Sequence, residues 1–344
     1  MSRKVIFSIF WVFVCLSAAI ATENPRMGGP SDTGAVGESA AVRDPNEPAD
    51  PNQPADGTKE TGPEGASGNQ ANAGQKGTEP MFEPAFSAES PLPELYKASE
   101  KIFKVYVNEK GEVNYSRLRR KRGDMLDAIN VLEKVSQEQL MPLSLQEKTA
   151  FWINAHNLCV LRLVIDNYPI QPKWYMIFYP DNSIMQISDP WTKHYFTIGG
   201  LEYNLQEIEK GLLLERFKDV RICFTLSSAT VGGATLRNEP YYANRLDKQL
   251  DDQVRKYLAN PQGCRLDKAK NILYLSNIFN VYKDEFLGSE YASVPKFRNR
   301  PDIERAWLNF LLEYLPAEDV KYIEKSEFSI QLLEYNWSLN ETGK

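Results

Sequence analysis

Histidine and cysteine are scarce in this 344-residue sequence, which contains two histidines and four cysteines. Two histidines are too few for a His-rich metal cage, and no CxxC or Cys/His spacing predicts a zinc site. We therefore expect neither a metal nor another cofactor. Basic residues are also outnumbered, 40 against 46 acidic ones, so the formal net charge is −6. Because nucleic acid is bound by a basic face, this balance argues against a nucleic-acid partner.

Aromatic residues, leucine and isoleucine are absent from residues 22–81. The same positions hold ten of the 20 glycines, eight of the 21 prolines, and ten acids against four bases. Such a segment cannot bury enough apolar surface to offset the entropy lost on ordering. We expect residues 22–85 to be a disordered, acidic, Pro/Gly-rich linker and residues 86–344 to be one nearly neutral globular domain.

The N-terminus carries a long apolar run, Val5–Ile20, directly after Arg3 and Lys4. With the small-x-small pattern at Ala19–Ala21, it is typical of a secretory signal peptide over residues 1–21. The alternative is an uncleaved membrane anchor, although a span prefers ~20 apolar residues. We expect an exported protein, either periplasmic, in the cell envelope or secreted, with membrane contact only if this segment stays uncleaved.

The remaining sequence predicts an α+β domain in which several helices pack on a small mixed or antiparallel sheet. Ser144 and Glu147 form a capping box that opens the longest predicted helix. The predicted helices are Leu92–Val107, Met125–Val135, Leu145–Asn167, Asn204–Leu214, Ala243–Leu258 and Asp302–Tyr314. The predicted extended segments are Phe196–Ile198 and Leu201–Tyr203 as a hairpin, Val220–Leu226, Ile272–Ser276 and Phe328–Tyr335.

Three segments place polar residues in apolar surroundings. Asn154 and Asn157 lie one turn apart on a predicted buried helix, and their amides need partners. They either bond neighbouring backbone and fix the core or line a cleft. The small-residue segment Ser227–Arg237 is either a tight loop or a loop that exposes a nucleophile beside backbone donors. The third segment, Tyr335–Asn340, is predicted to dock the C-terminus.

Together these segments resemble the domain of unknown function 547 family, which is uncharacterised. The similarity extends over roughly residues 95–340, with the motifs in the same order. The segments that carry it are Ala150–Asn157, Leu205–Lys210, Ser227–Arg237, Ser276–Phe279, Glu285-Phe286 and Tyr335–Asn340.

The resemblance implies a Cys, a His and an Asp that would make a thiol-type site of nucleophile, base and orienting carboxylate. This sequence has Ser228 in place of the first Cys, Lys210 in place of the His and Asn336 in place of the Asp. Gly233 replaces a second Cys, and His156 replaces a Tyr.

The joint loss of these groups favours a non-catalytic exported domain that keeps the family scaffold and binds a peptide, a glycan or an envelope protein. The alternative is a hydrolase or acyl transferase in which Ser228 is the nucleophile and Lys210 the base. That chemistry requires the two side chains to meet at about 3 Å. The candidate cleft residues are Asn154, His156, Asn157, Glu209, Arg237 and Asn336.

Overall fold

A computed structural model describes residues 92–343, so the predicted signal peptide and linker lie outside the described residues. The architecture is α+β, as predicted, and helices dominate it. In chain order, the α-helices are α1 (Leu92–Tyr106), α2 (Tyr115–Arg120), α3 (Arg122–Lys134), α4 (Gln137–Leu140), α5 (Leu145–Asn167), α6 (Glu215–Phe217), α7 (Leu246–Ala259), α8 (Ile278–Val281), α9 (Lys283–Leu287), α10 (Glu290–Ser293), α11 (Asp302–Tyr314) and α12 (Ala317–Lys325). A π-helix spans Glu207–Leu214, and 3-10 turns span Ile184–Gln186, Val220–Phe224 and Ala243–Arg245.

Two small sheets complete the described part of the chain. The strands are β1 (Phe196–Ile198), β2 (Leu201–Tyr203), β3 (Cys264–Asp267), β4 (Ile272–Leu275) and β5 (Ser329–Leu332). β1 and β2 form the predicted antiparallel hairpin, with Thr197 opposite Glu202. β4 is the middle strand of a mixed sheet, antiparallel to β3 and parallel to β5.

Helix α5 forms the centre of the domain because it is apolar around most of its circumference. Sixteen of its 23 residues are buried, and α3, the π-helix and α1 pack around it. The predicted capping box starts the helix: Ser144 Oγ accepts from the Glu147 amide at 3.2 Å, and Glu147 accepts from the Ser144 amide at 2.7 Å. No helix in residues 92–343 is both long and apolar enough to cross a bilayer.

The prediction of a buried strand at Val220–Leu226 is wrong, because Val220–Phe224 forms a 3-10 turn. Asp219 caps the turn by accepting the Arg221 amide at 2.9 Å, and the Arg221 guanidinium reaches Asp251 at 2.7 Å. These polar contacts favour a turn at the start of the segment. The apolar side chains of Val220–Phe224 are still buried and pack against α7. The apolar pattern of the sequence therefore predicted their burial correctly but not their secondary structure.

The C-terminal segment docks as predicted. It lies between the loop that follows the 3-10 turn Val220–Phe224 and the turn at residues 108–113. Asn340 is 6% exposed, and its Oδ1 accepts from the buried Tyr115 hydroxyl at 2.7 Å. Its Nδ2 donates to the Gly111 carbonyl at 3.2 Å, and its backbone carbonyl accepts from Val113 at 2.8 Å. Its backbone amide donates to the Ala229 carbonyl at 3.2 Å, which ties the loop to the same segment.

We expect Asn340→Ala to lower the free energy of unfolding by about 2–4 kcal/mol, because it leaves the Tyr115 hydroxyl and the Gly111 carbonyl without their buried partner. Urea unfolding followed by circular dichroism measures the change. The matched control is Asn167→Ala, since Asn167 is exposed and bonds only within its own helix. Equal destabilisation by the two substitutions would contradict the assignment.

Candidate functional site

Asn154 and Asn157 hold the two ends of one segment, residues 225–241. The Asn157 side chain donates to the Thr225 carbonyl at 3.0 Å and accepts from the Ser227 amide at 2.9 Å. One turn earlier, Asn154 donates to the Tyr241 carbonyl at 2.8 Å and accepts from the Tyr241 amide at 2.9 Å. Both buried amides therefore bind backbone, as in the first of the two alternatives stated above, and Asn157 Oδ1 also lies 3.5 Å from His156 Nδ1.

Two buried amides of α7 also bind this segment and the residues that flank it. Gln253 Nε2 donates to the carbonyls of Phe224 and Thr235, at 3.1 and 2.5 Å. Gln249 accepts from the Tyr242 amide at 2.8 Å. The segment has little regular secondary structure, and these amides supply partners that a ladder or a helix would otherwise provide.

His156 is buried beside Glu209, with 3.8 Å between Nε2 and the carboxylate. Burial lowers the pKa of His156 to about 4, partly opposed by its contact with Asn157. Burial also raises the pKa of Glu209, which Lys210 and a hydrogen bond from Tyr282 oppose. At neutral pH the imidazole is neutral, so this contact is not an ion pair.

Lys210 lies at the outer side of this group and pairs with Glu285, with Nζ 2.6 Å from Oε1. Its side chain is 42% exposed, and Nζ also stands 4.9 Å from the centre of the Tyr282 ring. Burial lowers the pKa of Lys210, but the carboxylates of Glu209 and Glu285 outweigh it and the net shift is upward. Lys210 is therefore a protonated amine at neutral pH.

Ser228 belongs to a cluster of three hydroxyls. Its Oγ lies 2.8 Å from Thr230 Oγ1 and 2.8 Å from the Tyr335 hydroxyl, and those two oxygens are 2.8 Å apart. Burial raises the pKa of Tyr335. Gly233 closes one side of the cluster, because a Cβ at that position would overlap Ser228 Oγ and come within 2.8 Å of the Tyr335 hydroxyl.

Asn336 and Arg237 have separate partners. The Asn336 side chain is exposed and accepts from the Ser338 amide at 3.0 Å, inside its own turn. Arg237 pairs with Asp252 at 2.5 Å and with Glu239 at 2.6 Å. These ion pairs tie the end of the 225–241 segment to α7.

The structure thus brings the candidate residues into one region but gives them different partners. Ser227 links the hydroxyl cluster to Asn157, and Asn157 contacts His156, which faces Glu209. Across the described residues, the hydrogen bonds of Ser228 Oγ run to Thr230 and Tyr335, and that of Lys210 Nζ runs to Glu285. The 3 Å contact that a Ser–Lys mechanism requires is not among them.

Residues 140–258 match the family model for Protein of unknown function, DUF547. This confirms the family resemblance. The matched range contains three of the motifs that predicted it, Ala150–Asn157, Leu205–Lys210 and Ser227–Arg237. The motifs at Ser276–Phe279, Glu285-Phe286 and Tyr335–Asn340 lie beyond it, and their likeness to the family stays a prediction. No curated protein and no solved structure matches the chain.

The sequence did not single out four side chains that surround the DUF547 positions. Glu285 and Tyr282 contact Lys210, while Thr230 and Tyr335 contact Ser228. Glu285, Thr230 and Tyr335 stand inside motifs that carried the resemblance, so a closer comparison of motif positions could have found them. Tyr282 offers no such signal, because it is one tyrosine in an apolar stretch.

The three cysteines among the described residues, Cys159, Cys223 and Cys264, are buried and free. Burial raises the pKa of Cys223 well above its usual value, so its thiol is unreactive although it lies near Lys210. Within residues 92–343, no group of three or more His, Cys, Asp and Glu side chains has the arrangement of a metal site.

A cavity of about 610 Å³ lies outside the DUF547 motifs. Charged residues of both signs line it, among them Arg221, Arg255, Asp251 and Glu313. None of the candidate residues is among its lining residues. Two of these charged residues have partners within the protein: Arg221 pairs with Asp251, and Glu313 accepts a hydrogen bond from the Tyr291 hydroxyl at 2.8 Å.

We expect His156→Gln to make the domain more resistant to acid. The folded state holds His156 neutral down to about pH 4, while an unfolded histidine binds a proton near pH 6.5. Stability from this residue is therefore full above pH 6.5 and is lost as the pH falls from 6.5 to 4, by up to about 3 kcal/mol. Urea unfolding at pH 7.0 and pH 4.5 measures the loss, which should be smaller in the variant.

The second histidine provides the control. His194 is only partly buried and its ring contacts the Ser188 carbonyl at the surface, so His194→Gln should leave the loss between the two pH values unchanged. If His194→Gln reduces the loss as much as His156→Gln does, the buried imidazole is not its source.

Proposed function

We propose that this chain is a non-catalytic, exported DUF547 domain that binds a peptide, a glycan or an envelope protein at the surface around Lys210. The observation that carries the proposal is the ion pair between Lys210 and Glu285 at 2.6 Å. A general base must be able to accept a proton, and the carboxylates beside Lys210 raise its pKa instead. The amine is thus placed to hold charge, not to remove a proton.

The environment of Ser228 supports the same conclusion. An activated serine needs a base within hydrogen-bond reach. The neighbours of Ser228 Oγ are two hydroxyls, and burial raises the pKa of one of them, Tyr335. Neither hydroxyl is a base at neutral pH.

Binding is supported by an unused acceptor beside the exposed side of Lys210. Glu285 Oε2 is buried and has no hydrogen-bond partner among the described residues, while Oε1 is held by Lys210. A buried carboxylate oxygen without a partner costs free energy. If the partly exposed Lys210 side chain moves aside, a ligand that offers a hydroxyl or an amide N–H would satisfy it, and both glycans and peptides carry such donors.

The absence of catalysis can be tested with a fluorophosphonate probe, which labels activated serines. We expect full-length protein to remain unlabelled at Ser228, with the same background as Ser228→Ala. Labelling that disappears in Ser228→Ala and in Lys210→Met, but persists in Lys218→Met, would establish the Ser–Lys hydrolase instead. Lys218 is the matched control because it is exposed and lies outside the candidate site.

The binding surface can be tested by thermal shift against a panel of oligosaccharides and short peptides. We expect at least one compound to raise the melting temperature, since a ligand that binds only the folded state stabilises it. Glu285→Gln should remove the shift, and Glu290→Gln, which alters an exposed carboxylate nearby, should preserve it. A shift that survives Glu285→Gln would place the ligand elsewhere.

A further inference from the structure

The turn that follows α5 exposes a set of large apolar side chains, which we call the aromatic loop (residues 173–178). Trp174 is 88% exposed, Ile177 75%, Phe178 55% and Tyr175 53%. Single exposed apolar residues are ordinary, but four in five consecutive positions form a patch of the kind that marks an interaction site.

The aromatic loop is held in shape from beneath by one buried side chain. Gln186 is 2% exposed, and its Oε1 accepts from the Lys173 amide at 2.8 Å. Its Nε2 faces the carbonyls of Met176, Tyr179 and Pro180 at 3.3, 3.4 and 3.2 Å. These hydrogen bonds pair one backbone amide and three carbonyls of residues 173–180 with a buried side chain. They hold the backbone in one conformation while the large apolar side chains face solvent.

Charged residues are sparse in the loop itself, and Asp166 and Asp181 flank it on either side. Between Asn167 and Pro180 the single charged residue is Lys173, and no acid occurs. Lys173 Nζ lies 2.7 Å from Ser188 Oγ and 5.9 Å from the centre of the Tyr175 ring. Exposed tryptophan, tyrosine and aliphatic side chains next to a lysine are typical of segments that lie in the interfacial layer of a membrane.

The size of the patch also favours a lipid surface over a protein. At 150–250 Å² for a large side chain, the four exposed residues offer roughly 500 Å². A stable protein interface needs about 800 Å² from each partner. A bilayer requires no matching surface, because apolar area and a nearby cation are sufficient for interfacial binding.

We propose that the aromatic loop docks this domain on the interface of a bilayer that contains anionic lipids. Trp174, Ile177 and Phe178 enter the boundary between headgroups and acyl chains, and Lys173 faces the headgroups. This adds a membrane contact to the one expected from an uncleaved N-terminal segment, and it does not depend on the proposed function.

The test uses full-length protein carrying Trp11→Phe, so that the N-terminal apolar run contributes no tryptophan signal. Vesicles of phosphatidylcholine and phosphatidylglycerol, with brominated acyl chains, quench tryptophans that reach the acyl boundary. Subtracting the spectrum of a Trp174→Phe variant in the same background isolates Trp174. We expect its emission to shift to shorter wavelength and to be quenched.

Variants separate the loop from the rest of the surface. Ile177→Ser with Phe178→Ser should reduce the quenching of Trp174 by at least about twofold, because two of the inserted side chains are lost. Leu201→Ser, which alters an exposed apolar residue of the β-hairpin, should leave it unchanged. Near-ultraviolet circular dichroism checks that each variant keeps its packing.

Three outcomes would overturn the proposal. Emission from Trp174 that is identical with and without vesicles would show that the loop stays in water. A blue shift that grows with protein concentration in the absence of lipid would assign the loop to self-association. Equal quenching in vesicles of phosphatidylcholine alone would remove the role given to Lys173 and to anionic headgroups.

Discussion

The route of the chain through the candidate site depends on two asparagine side chains of one buried helix. Asn157 fixes residues 225–227, and Asn154 fixes Tyr241, so one turn of α5 sets both ends of the intervening segment. That segment carries the hydroxyl cluster and Arg237. A buried side-chain amide costs free energy unless both of its hydrogen bonds are made. The two asparagines therefore favour the one path of the segment that brings these backbone groups to them.

Because both asparagines bind backbone groups of the segment, its path can stay the same when its side chains differ. In this segment the partners of Asn154 and Asn157 are backbone groups, so these hydrogen bonds require no particular side chain at position 228. Of the substituted positions, Lys210 and Asn336 lie outside this segment, and positions 228 and 233 lie on it. There Ser228 finds hydroxyl partners, and on the adjoining π-helix Lys210 finds carboxylates. The fold therefore constrains where these groups stand more than what they are.

The parts of the structure that could be predicted from the sequence are those set by residues close together in the chain. The capping box and the apolar periodicity predicted α5 with its ends, and the Gly-Gly pair between two short alternating runs predicted the hairpin. The run Val220–Leu226 had the composition of a strand but no strand beside it, and a capping Asp decided the outcome. In the site, the sequence identified Lys210 and Ser228 but not Glu285, because the two paired residues are 75 positions apart and only the packing of α9 on the domain brings them together.

Two of the replaced positions, 228 and 233, are coupled through space, because the side chain at one limits the side chain that fits at the other. A side chain at position 233 would overlap Ser228 Oγ and crowd Thr230 Oγ1 at 2.9 Å. Glycine at 233 is therefore a condition for the hydroxyl cluster, and a single Gly233→Cys substitution would have to displace Ser228 from Thr230 and Tyr335. Contacting residues of this kind do not contribute additively. Substitutions at positions 228 and 233 would therefore have to occur together for the side chains at this point to stay packed.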